Sequence, residues 1–412
     1  MFSKALKVQR PISNVLLVIF LIFLFNSKYS YKGILSLPLF VYPYALIIFQ
    51  IVFFKYGEIH LDKRLKVIWF LYVAFIIPIF ISLLFVPSGT SQRSYLNGLI
   101  SFIAIYIPII IMLSAINSAG TKQKSKYIKI YVYVIIFLAF YSILETLLFQ
   151  FTTINLNIEM SRFFHFTGSM DEYNYDKFGL GGIVFYRSSG ITGDPSIAGL
   201  IYLIGLIICI RHFKKKGILS LILIISIILT YSTSIMFLTM IYLSTLIFKS
   251  ARGRGVFIII FIGTILIVGF VSQREMITAL INYRFSLSGS AENHLQINIK
   301  TLKILYDHPM GVGYKTFGDL YPNIYSAHNS YLQVIVETGV IGLFFFLMWL
   351  RYIFITIYKQ KSEYSKTFIY ILVIICLSSF AHDMIFRFEF MFSILFLASI
   401  ILGDNHRTKI SL

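Results

Sequence analysis

The residues best suited to chemistry lie at 308–342, where a polar stretch runs directly into a long apolar segment. Its sequence reads HPMGVGYKTFGDLYPNIYSAHNSYLQVIVETGVIG. Pro309 and Pro322 interrupt helices, so the backbone before His328 is predicted to be irregular. Irregular backbone reaches membrane depth only where protein covers it. His328 is therefore placed at the mouth of an apolar helix that begins near Tyr331.

A histidine at such a mouth has two interpretations. Its imidazole changes protonation near neutral pH, as a general base for a sugar hydroxyl requires. The alternative is an interfacial histidine satisfied by water. The spacing around His328 leaves both open.

Three arginines in polar segments indicate recognition of phosphate. Arg187 lies in YRSSGITGDPS, Arg284 in NYRFSLSG, and Arg162 in the polar stretch before them. The planar, permanently charged guanidinium suits phosphate, although each arginine could instead mark topology or contact a lipid headgroup. No nucleotide-binding, zinc-ligand or paired-carboxylate pattern is present, so we expect neither a metal site nor a cofactor.

The composition defines the class of protein that must position these residues. Of 412 residues, 58% are hydrophobic and 13% are charged, which is typical of a multi-span membrane protein. The net charge of +19 comes mainly from short loops between apolar runs. That placement favours an anionic membrane leaflet and excludes a dense nucleic-acid-binding surface. Cys209 and Cys376 both lie within apolar runs and offer no disulfide framework.

The apolar runs predict about twelve transmembrane helices, because about 20 residues cross roughly 30 Å of hydrocarbon. Residues 217–248 carry the polar sequence TYSTS in their middle, which favours two short helices over one kinked helix. The distribution of Lys and Arg places both termini in the cytoplasm. The predicted spans are residues 12–25, 33–54, 67–86, 96–116, 130–149, 196–210, two within 217–248, 256–271, 331–358, 367–380 and 388–402.

Two large loops, at about residues 150–195 and 272–330, share one side of the membrane in this topology. They hold nearly all the ionisable residues that face outward. We therefore expect an extracytoplasmic active face.

Two sequence regions together carry a resemblance to a known family. RSSGITGDPSIAG at residues 187–199 and the stretch at 308–342 resemble the two signature regions of the O-antigen ligase and O-antigen polymerase superfamily. The resemblance implies an all-α polytopic membrane helical bundle with a GT-C-like fold, forming a single integral membrane domain over residues 1–412. It also implies a metal-independent glycosyltransferase of the inner membrane that uses an undecaprenyl diphosphate-linked glycan as donor.

The same resemblance implies roles for particular residues. The catalytic residues would be Arg187 and Arg284, which stabilise the leaving diphosphate, and His328, which acts as general base. Asn329 or Glu337 would orient the histidine. The chain departs from the pattern at His294, where an arginine is common, and at Ser232 and Thr233, where a Ser-Arg pair is common. The expected substrate-binding residues are Asn329, Arg162, His294, Asp194 and Glu337.

The resulting prediction is an O-antigen polymerase that joins lipid-linked repeat units. The first alternative is the ligase, which transfers polysaccharide to lipid A core and uses the same donor. A glycolipid flippase or transporter is less favoured, because the sequence shows no paired repeats or charge pathway within its spans. The expected partners are undecaprenyl diphosphate-linked glycan, membrane lipid and a chain-length regulator, with no nucleic acid.

Overall fold

A computed structural model of the chain describes its residues in several segments, and its helices carry the architecture. The described residues are 12–25, 29–30, 41–53, 62–86, 109–152, 154, 156, 165–166, 177–180, 183–213, 216–247, 290–314, 316–317, 327, 329–360, 362–382 and 387–402. The helices within them are α1 (Asn14–Leu24), α2 (Val41–Phe53), α3 (Lys63–Ala74), α4 (Ile76–Leu83), α5 (Ile109–Ser118), α6 (Thr121–Thr152), α7 (Pro195–His212), α8 (Lys216–Leu229), α9 (Thr233–Ile247), α10 (Ser290–Asp307), α11 (Ser330–Tyr358), α12 (Glu363–Ser378) and α13 (Phe388–Leu402).

Two very small antiparallel sheets accompany the helices. Strand β1 (Tyr29–Ser30) pairs with β2 (His165–Phe166), and β3 (Lys177–Leu180) pairs with β4 (Ile183–Tyr186). The second pair ends directly before Arg187. The prediction of an all-α polytopic bundle is confirmed. Strands β2, β3 and β4 lie in the predicted first loop, and β1 lies between the first two predicted spans.

Helix length and composition support a membrane location. In the described part of the chain, four helical segments are long and apolar enough to cross a membrane: Lys63–Ser82, Thr121–Thr152, Pro195–His212 and Ser330–Tyr358. Shorter apolar helices of 10–17 residues accompany them. The count of twelve spans stays a prediction, and the span expected at 256–271 lies outside the described residues.

Two helices form the centre of the bundle. Every residue of α13 is buried, and α7 is buried from Pro195 to Cys209. Polar side chains bond neighbouring helices: the Tyr131 hydroxyl of α6 donates to Ser393 Oγ of α13 at 2.8 Å. The Ser142 hydroxyl of α6 and the Tyr202 hydroxyl of α7 share a hydrogen bond of 2.5 Å. Lipid tails are as apolar as the helices, so the hydrophobic effect does not drive helices together inside a membrane. Hydrogen bonds of this kind fix the register between neighbouring helices instead.

The outer helices expose large apolar side chains in stripes. On α6 the exposed residues recur every three or four positions, which places them on one face of the helix. In a membrane this face meets lipid, while the opposite face meets α7. The stripe consists of Tyr133, Phe137, Phe140, Leu144, Leu147 and Phe151.

The predicted break within residues 217–248 is confirmed. Helix α8 ends at Leu229 and α9 begins at Thr233, so three residues form the turn between them. Thr230 and Ser232 are buried in this turn. The polar side chains that marked the break in the sequence therefore take part in packing.

Candidate functional site

The first segment of the site is the chain that joins β4 to α7. One turn of 3-10 helix at Gly190–Thr192 separates Arg187 from the start of α7. Asp194 caps that helix, because its Oδ1 accepts from the backbone N–H of Ser196 at 2.8 Å and of Ile197 at 3.3 Å. A cap of this kind contributes about 1 kcal/mol. Asp194 thus has a structural contact, and its expected substrate contact stays a prediction.

A buried carboxylate anchors the same segment from α6. Glu145 is 0% exposed, and its Oε2 accepts from Ser188 Oγ at 2.7 Å and from the Gly190 N–H at 3.0 Å. The Ser188 N–H donates to the Leu229 carbonyl at 3.0 Å. Ionisable groups inside membrane helices are expensive to bury and tend to mark functional regions. Glu145 fixes the backbone on the C-terminal side of Arg187.

The Arg187 side chain makes a weak hydrogen bond, and its charge is available to bind an anion. Its side chain is half-buried, and its Nε donates to the Thr230 carbonyl at 3.4 Å. It makes no ion pair with any residue that the structure describes. A half-buried guanidinium without a carboxylate partner is a suitable site for an oxyanion.

The turn between α8 and α9 lies against Arg187 and is strained. Tyr231 has φ of 47°, and among the described residues it is the one non-glycine with positive φ. The left-handed conformation costs an L-residue roughly 1–2 kcal/mol. Such strain persists only where the surroundings impose it, and it tends to occur at functional positions.

A chain of hydroxyl groups leads from this turn to a histidine that the sequence analysis did not select. The Ser232 hydroxyl donates to Ser196 Oγ at 3.3 Å and lies 3.4 Å from Ser234 Oγ. Ser234 Oγ shares a hydrogen bond of 3.1 Å with His382 Nε2. The Ser330 hydroxyl at the start of α11 donates to the His382 carbonyl at 3.0 Å. The α8–α9 turn therefore joins the Arg187 segment to the start of α11.

Asn329 begins α11. Its Oδ1 accepts from the backbone N–H of Tyr331 at 3.0 Å and of Leu332 at 3.1 Å. The helix thus starts at Ser330, one residue before the predicted start. As with Asp194, the structure shows a capping contact, and the expected role in orienting His328 stays a prediction.

A second chain of contacts holds the residue before His328. The Ala327 N–H donates to Gln333 Oε1 at 2.6 Å, and Gln333 Nε2 donates to Glu337 Oε1. Glu337 is 5% exposed. His328 lies outside the described residues, but both of its neighbours are fixed. Glu337 thus acts on this backbone through Gln333.

The two halves of the second signature region are bonded to each other across a break in α11. Gly339 has φ of 72° and ψ of −178°, so the helix is interrupted about 13 Å from its start. The loop at 309–313 pairs with the backbone groups on both sides of the break. These bonds are Val312 N to Val336 O at 2.8 Å, Gly313 N to Glu337 O at 3.1 Å, and Val340 N to Pro309 O at 3.4 Å.

Glycine is needed where this loop meets the break. Gly311 also has positive φ, at 90°. A Cβ added to Gly311 would lie 2.6 Å from Gly339 N, and one added to Gly339 would lie 2.6 Å from the Met310 carbonyl carbon. The predicted irregular backbone is confirmed for residues 311–314, and it is buried. The backbone polar groups of this loop are bonded within the protein, as is required of irregular backbone inside a membrane.

The remaining predicted residues are less fully described. Arg162 and Arg284 lie outside the described residues. His294 lies in α10, which occupies part of the predicted second loop, and its side chain is outside the description. A small apolar cluster connects α10 to the signature loop and to α11. Its buried members are Ile304, Val312, Phe317, Ala327 and Val336.

The residues that sequence reasoning missed are Glu145 and His382. Glu145 had one detectable signal, since it is a lone carboxylate in the apolar run at 130–149. His382 had no such signal in the short turn before α13. Its link to Ser234 joins residues 148 positions apart.

The fold and the site together define a polytopic helical membrane protein whose polar segments assemble at one end of its central helices. Residues 218–347 match a family model described as O-antigen ligase. The match includes nearly all of α8, the whole of α9 and α10, and the second signature region, whereas the first region at 187–199 precedes it. No curated protein matches the chain.

This match supports the O-antigen polymerase and ligase superfamily, so the predicted resemblance is confirmed. Members of the family are glycosyltransferase-like enzymes of lipopolysaccharide biosynthesis. The family implies lipid-linked glycan substrates in the membrane. Together with the apolar helices, it indicates an integral inner membrane protein.

Proposed function

We propose that the protein is an O-antigen polymerase that joins undecaprenyl diphosphate-linked repeat units on the outer side of the inner membrane, with both termini in the cytoplasm. An acceptor sugar hydroxyl attacks the anomeric carbon of the donor glycan. The bond from that carbon to the diphosphate oxygen breaks, and undecaprenyl diphosphate leaves with its negative charge. The hydroxyl proton passes to His328. Direct displacement inverts the anomeric centre.

The observation that carries the proposal is the environment of Arg187. Its charge has no carboxylate partner among the described residues, and Glu145 fixes the backbone immediately after it. A preorganised cation stabilises an anionic leaving group without a reorganisation cost at the moment of reaction. Arg284 would share this role, and no metal ion is needed where guanidinium groups carry the charge.

The acceptor side of the reaction belongs to the start of α11. Asn329 caps that helix, and the Ala327 N–H donates to Gln333 Oε1, so the residues on either side of His328 are fixed. A general base must be positioned within hydrogen-bond reach of the hydroxyl that it deprotonates. Arg162, His294, Asp194 and Glu337 are proposed to contact or support the glycan. A chain-length regulator is the proposed protein partner.

Transfer of finished polysaccharide to lipid A core is the second candidate, because the matched family model is described as O-antigen ligase. Both reactions use the same donor and differ in acceptor. Gel analysis of surface glycan from a deletion strain separates them. We expect the ladder to collapse to a single repeat unit on core. Full-length chains that accumulate on the carrier lipid would instead identify the ligase, and an unchanged ladder would exclude both.

Arg187→Lys tests the phosphate contact. Lysine keeps the charge but loses the planar fork that binds two oxygens. Losing one charge-assisted hydrogen bond costs about 1.5–3 kcal/mol, so we expect the transfer rate to fall by roughly 10- to 100-fold. The measurement is turnover with a purified lipid diphosphate donor. The matched control is Arg351→Lys, an exposed position on α11, which should keep normal turnover. Equal turnover in both variants would show that general attraction to the leaflet is sufficient.

A further inference from the structure

We infer that Tyr231, Ser234 and His382 form a sugar-binding subsite beside Arg187. The inference rests on the proposed function, because it assigns the glycan of the lipid-linked substrate to this place. Arg187 would hold the diphosphate of that substrate. The α8–α9 turn would hold the sugar attached to it.

The position of the turn is the first reason. The Thr230 carbonyl accepts from Arg187 Nε at 3.4 Å, and the next residue in the chain is Tyr231. On the other side of the turn, Ser234 bonds to His382 Nε2 at 3.1 Å. A diphosphate bound by Arg187 would therefore place the first sugar beside the α8–α9 turn, close to Tyr231 and Ser234.

The chemistry of the three side chains is the second reason. Tyr231, Ser234 and His382 are all half-buried, so each has a surface that a ligand can reach. A sugar ring presents both an apolar face of C–H groups and a rim of hydroxyls. An aromatic ring with a polar end suits the first. A serine hydroxyl and an imidazole, which both donate and accept, suit the second.

The strain at Tyr231 is the third reason. Asn and Gly adopt the left-handed conformation most readily, yet the chain has a tyrosine there, with φ of 47°. Tyr231 is half-buried, so part of its side chain is accessible to a ligand. Buried neighbours hold the turn in place, since the Ser232 hydroxyl donates to Ser196 Oγ at 3.3 Å. The fold therefore holds an aromatic residue in a strained conformation at this position, which is typical of functional sites.

The hydroxyl groups behind the subsite give it a defined geometry. Ser196 and Ser232 are 8% and 3% exposed, whereas Ser234 and His382 are half-buried. The buried pair supports the accessible pair through the 3.4 Å contact between Ser232 and Ser234. A ligand hydroxyl that bonds to Ser234 or His382 therefore meets side chains that are already oriented. This preorganisation lowers the entropic penalty of binding.

Two ligands test the subsite in binding measurements on the full-length purified protein. One is undecaprenyl diphosphate carrying one repeat unit, extracted from cells of a deletion strain. The other is undecaprenyl diphosphate alone. The ratio of the two Kd values isolates the contribution of the glycan. We expect the wild-type protein to bind the glycan-bearing lipid more tightly.

Tyr231→Asn removes the ring and adopts the left-handed conformation with less strain than tyrosine. We expect its Tm to be no lower than that of the wild type. Its Kd for the glycan-bearing lipid should be about ten-fold weaker, the size of one aromatic contact, with bare undecaprenyl diphosphate bound as before. Tyr231→Phe keeps the ring and should stay within about two-fold of the wild type, since the aromatic face is retained. A glycan preference that survives in Tyr231→Asn overturns the subsite.

The double variant Ser234→Ala, His382→Gln tests the polar half independently, and its glycan preference should also fall. If the double variant retains the glycan preference, the subsite is overturned. This test does not depend on whether Tyr231→Asn folds well. Arg187→Lys should weaken binding of both lipids and leave their ratio unchanged. A wild-type protein that binds neither lipid overturns the proposed function. A wild-type protein that binds both lipids equally, or a preference that persists in either subsite variant, overturns only the subsite.

Discussion

His328→Ala and His328→Gln are expected to insert at normal levels and yet lose about 10²- to 10⁴-fold of the transfer rate. This range corresponds to roughly 3–5 kcal/mol of activation free energy. The loss should appear in turnover and leave donor affinity largely intact, because the arginines bind the diphosphate. Single-turnover kinetics with a synthetic lipid diphosphate donor would separate the two quantities.

The structure explains why such a variant should still fold. The neighbours of His328 are fixed by groups other than the imidazole: Asn329 caps α11 through its own side chain, and the Ala327 N–H donates to Gln333 at 2.6 Å. Glu337 accepts from Gln333 in turn. Removal of the imidazole leaves every one of these bonds in place. A loss of activity at normal yield therefore points to chemistry.

A histidine at the opposite end of the bundle provides the matched control. His212 lies in the last turn of α7, where it bonds to Thr367 Oγ1 at 2.8 Å and stacks on Tyr364 at 4.2 Å. His212→Gln should keep most of the activity. A pH series adds a second measurement, because a neutral imidazole is required and the rate should fall on acidification. Wild-type turnover by His328→Ala would falsify the general-base role and direct attention to Glu337 or Asp194.

The sequence predicted those parts of the fold that depend on local pattern. Apolar runs of about 20 residues indicate a membrane bundle without any knowledge of tertiary contacts. The polar residues of TYSTS correctly indicated the break that the structure places at 230–232, since they favour turns over helix interiors. The start of α11 was predicted to within one residue, because the apolar segment begins there, and the structure shows that Asn329 caps it.

The features that the sequence analysis missed all depend on distant partners. Gly339 lies in an apolar run that reads as continuous helix, and its break is stable only because the loop at 309–313 satisfies the exposed backbone groups. Glu145 appears isolated in sequence, because Ser188 is 43 positions away. His382 is joined to Ser234 across 148 positions. Contacts of this range leave no periodic pattern in a single sequence.

Gly339→Ala and Gly311→Ala are expected to prevent stable folding. Each added Cβ would lie 2.6 Å from a backbone atom of the other segment, and a backbone atom cannot rotate away as a side chain can. The left-handed conformation adds roughly 1–2 kcal/mol for alanine. Separation of the loop from the break would lose three hydrogen bonds, each contributing about 1 kcal/mol.

The combined loss is of the same order as the 5–15 kcal/mol that stabilises a typical protein. It is also concentrated beside the predicted span at 331–358, and inside a membrane an unpaired backbone group costs several kcal/mol because no water can replace the lost partner. We therefore expect low yields of detergent-extracted protein and a broad, early melting transition by fluorescence-detected size-exclusion chromatography. The effect should be equal in both variants, because both separate the same two segments.

Gly217→Ala supplies the contrast. Gly217 lies near the start of α8, and a Cβ added there would meet nothing within 4 Å. Alanine favours the helix by up to about 1 kcal/mol, so this variant should melt at or slightly above the wild-type temperature. The comparison separates a general intolerance of alanine from the contact between the loop and the break. Normal yield and melting of Gly339→Ala would show that the 309–313 loop is not seated against α11, and the positioning of His328 by this region would have to be abandoned with it.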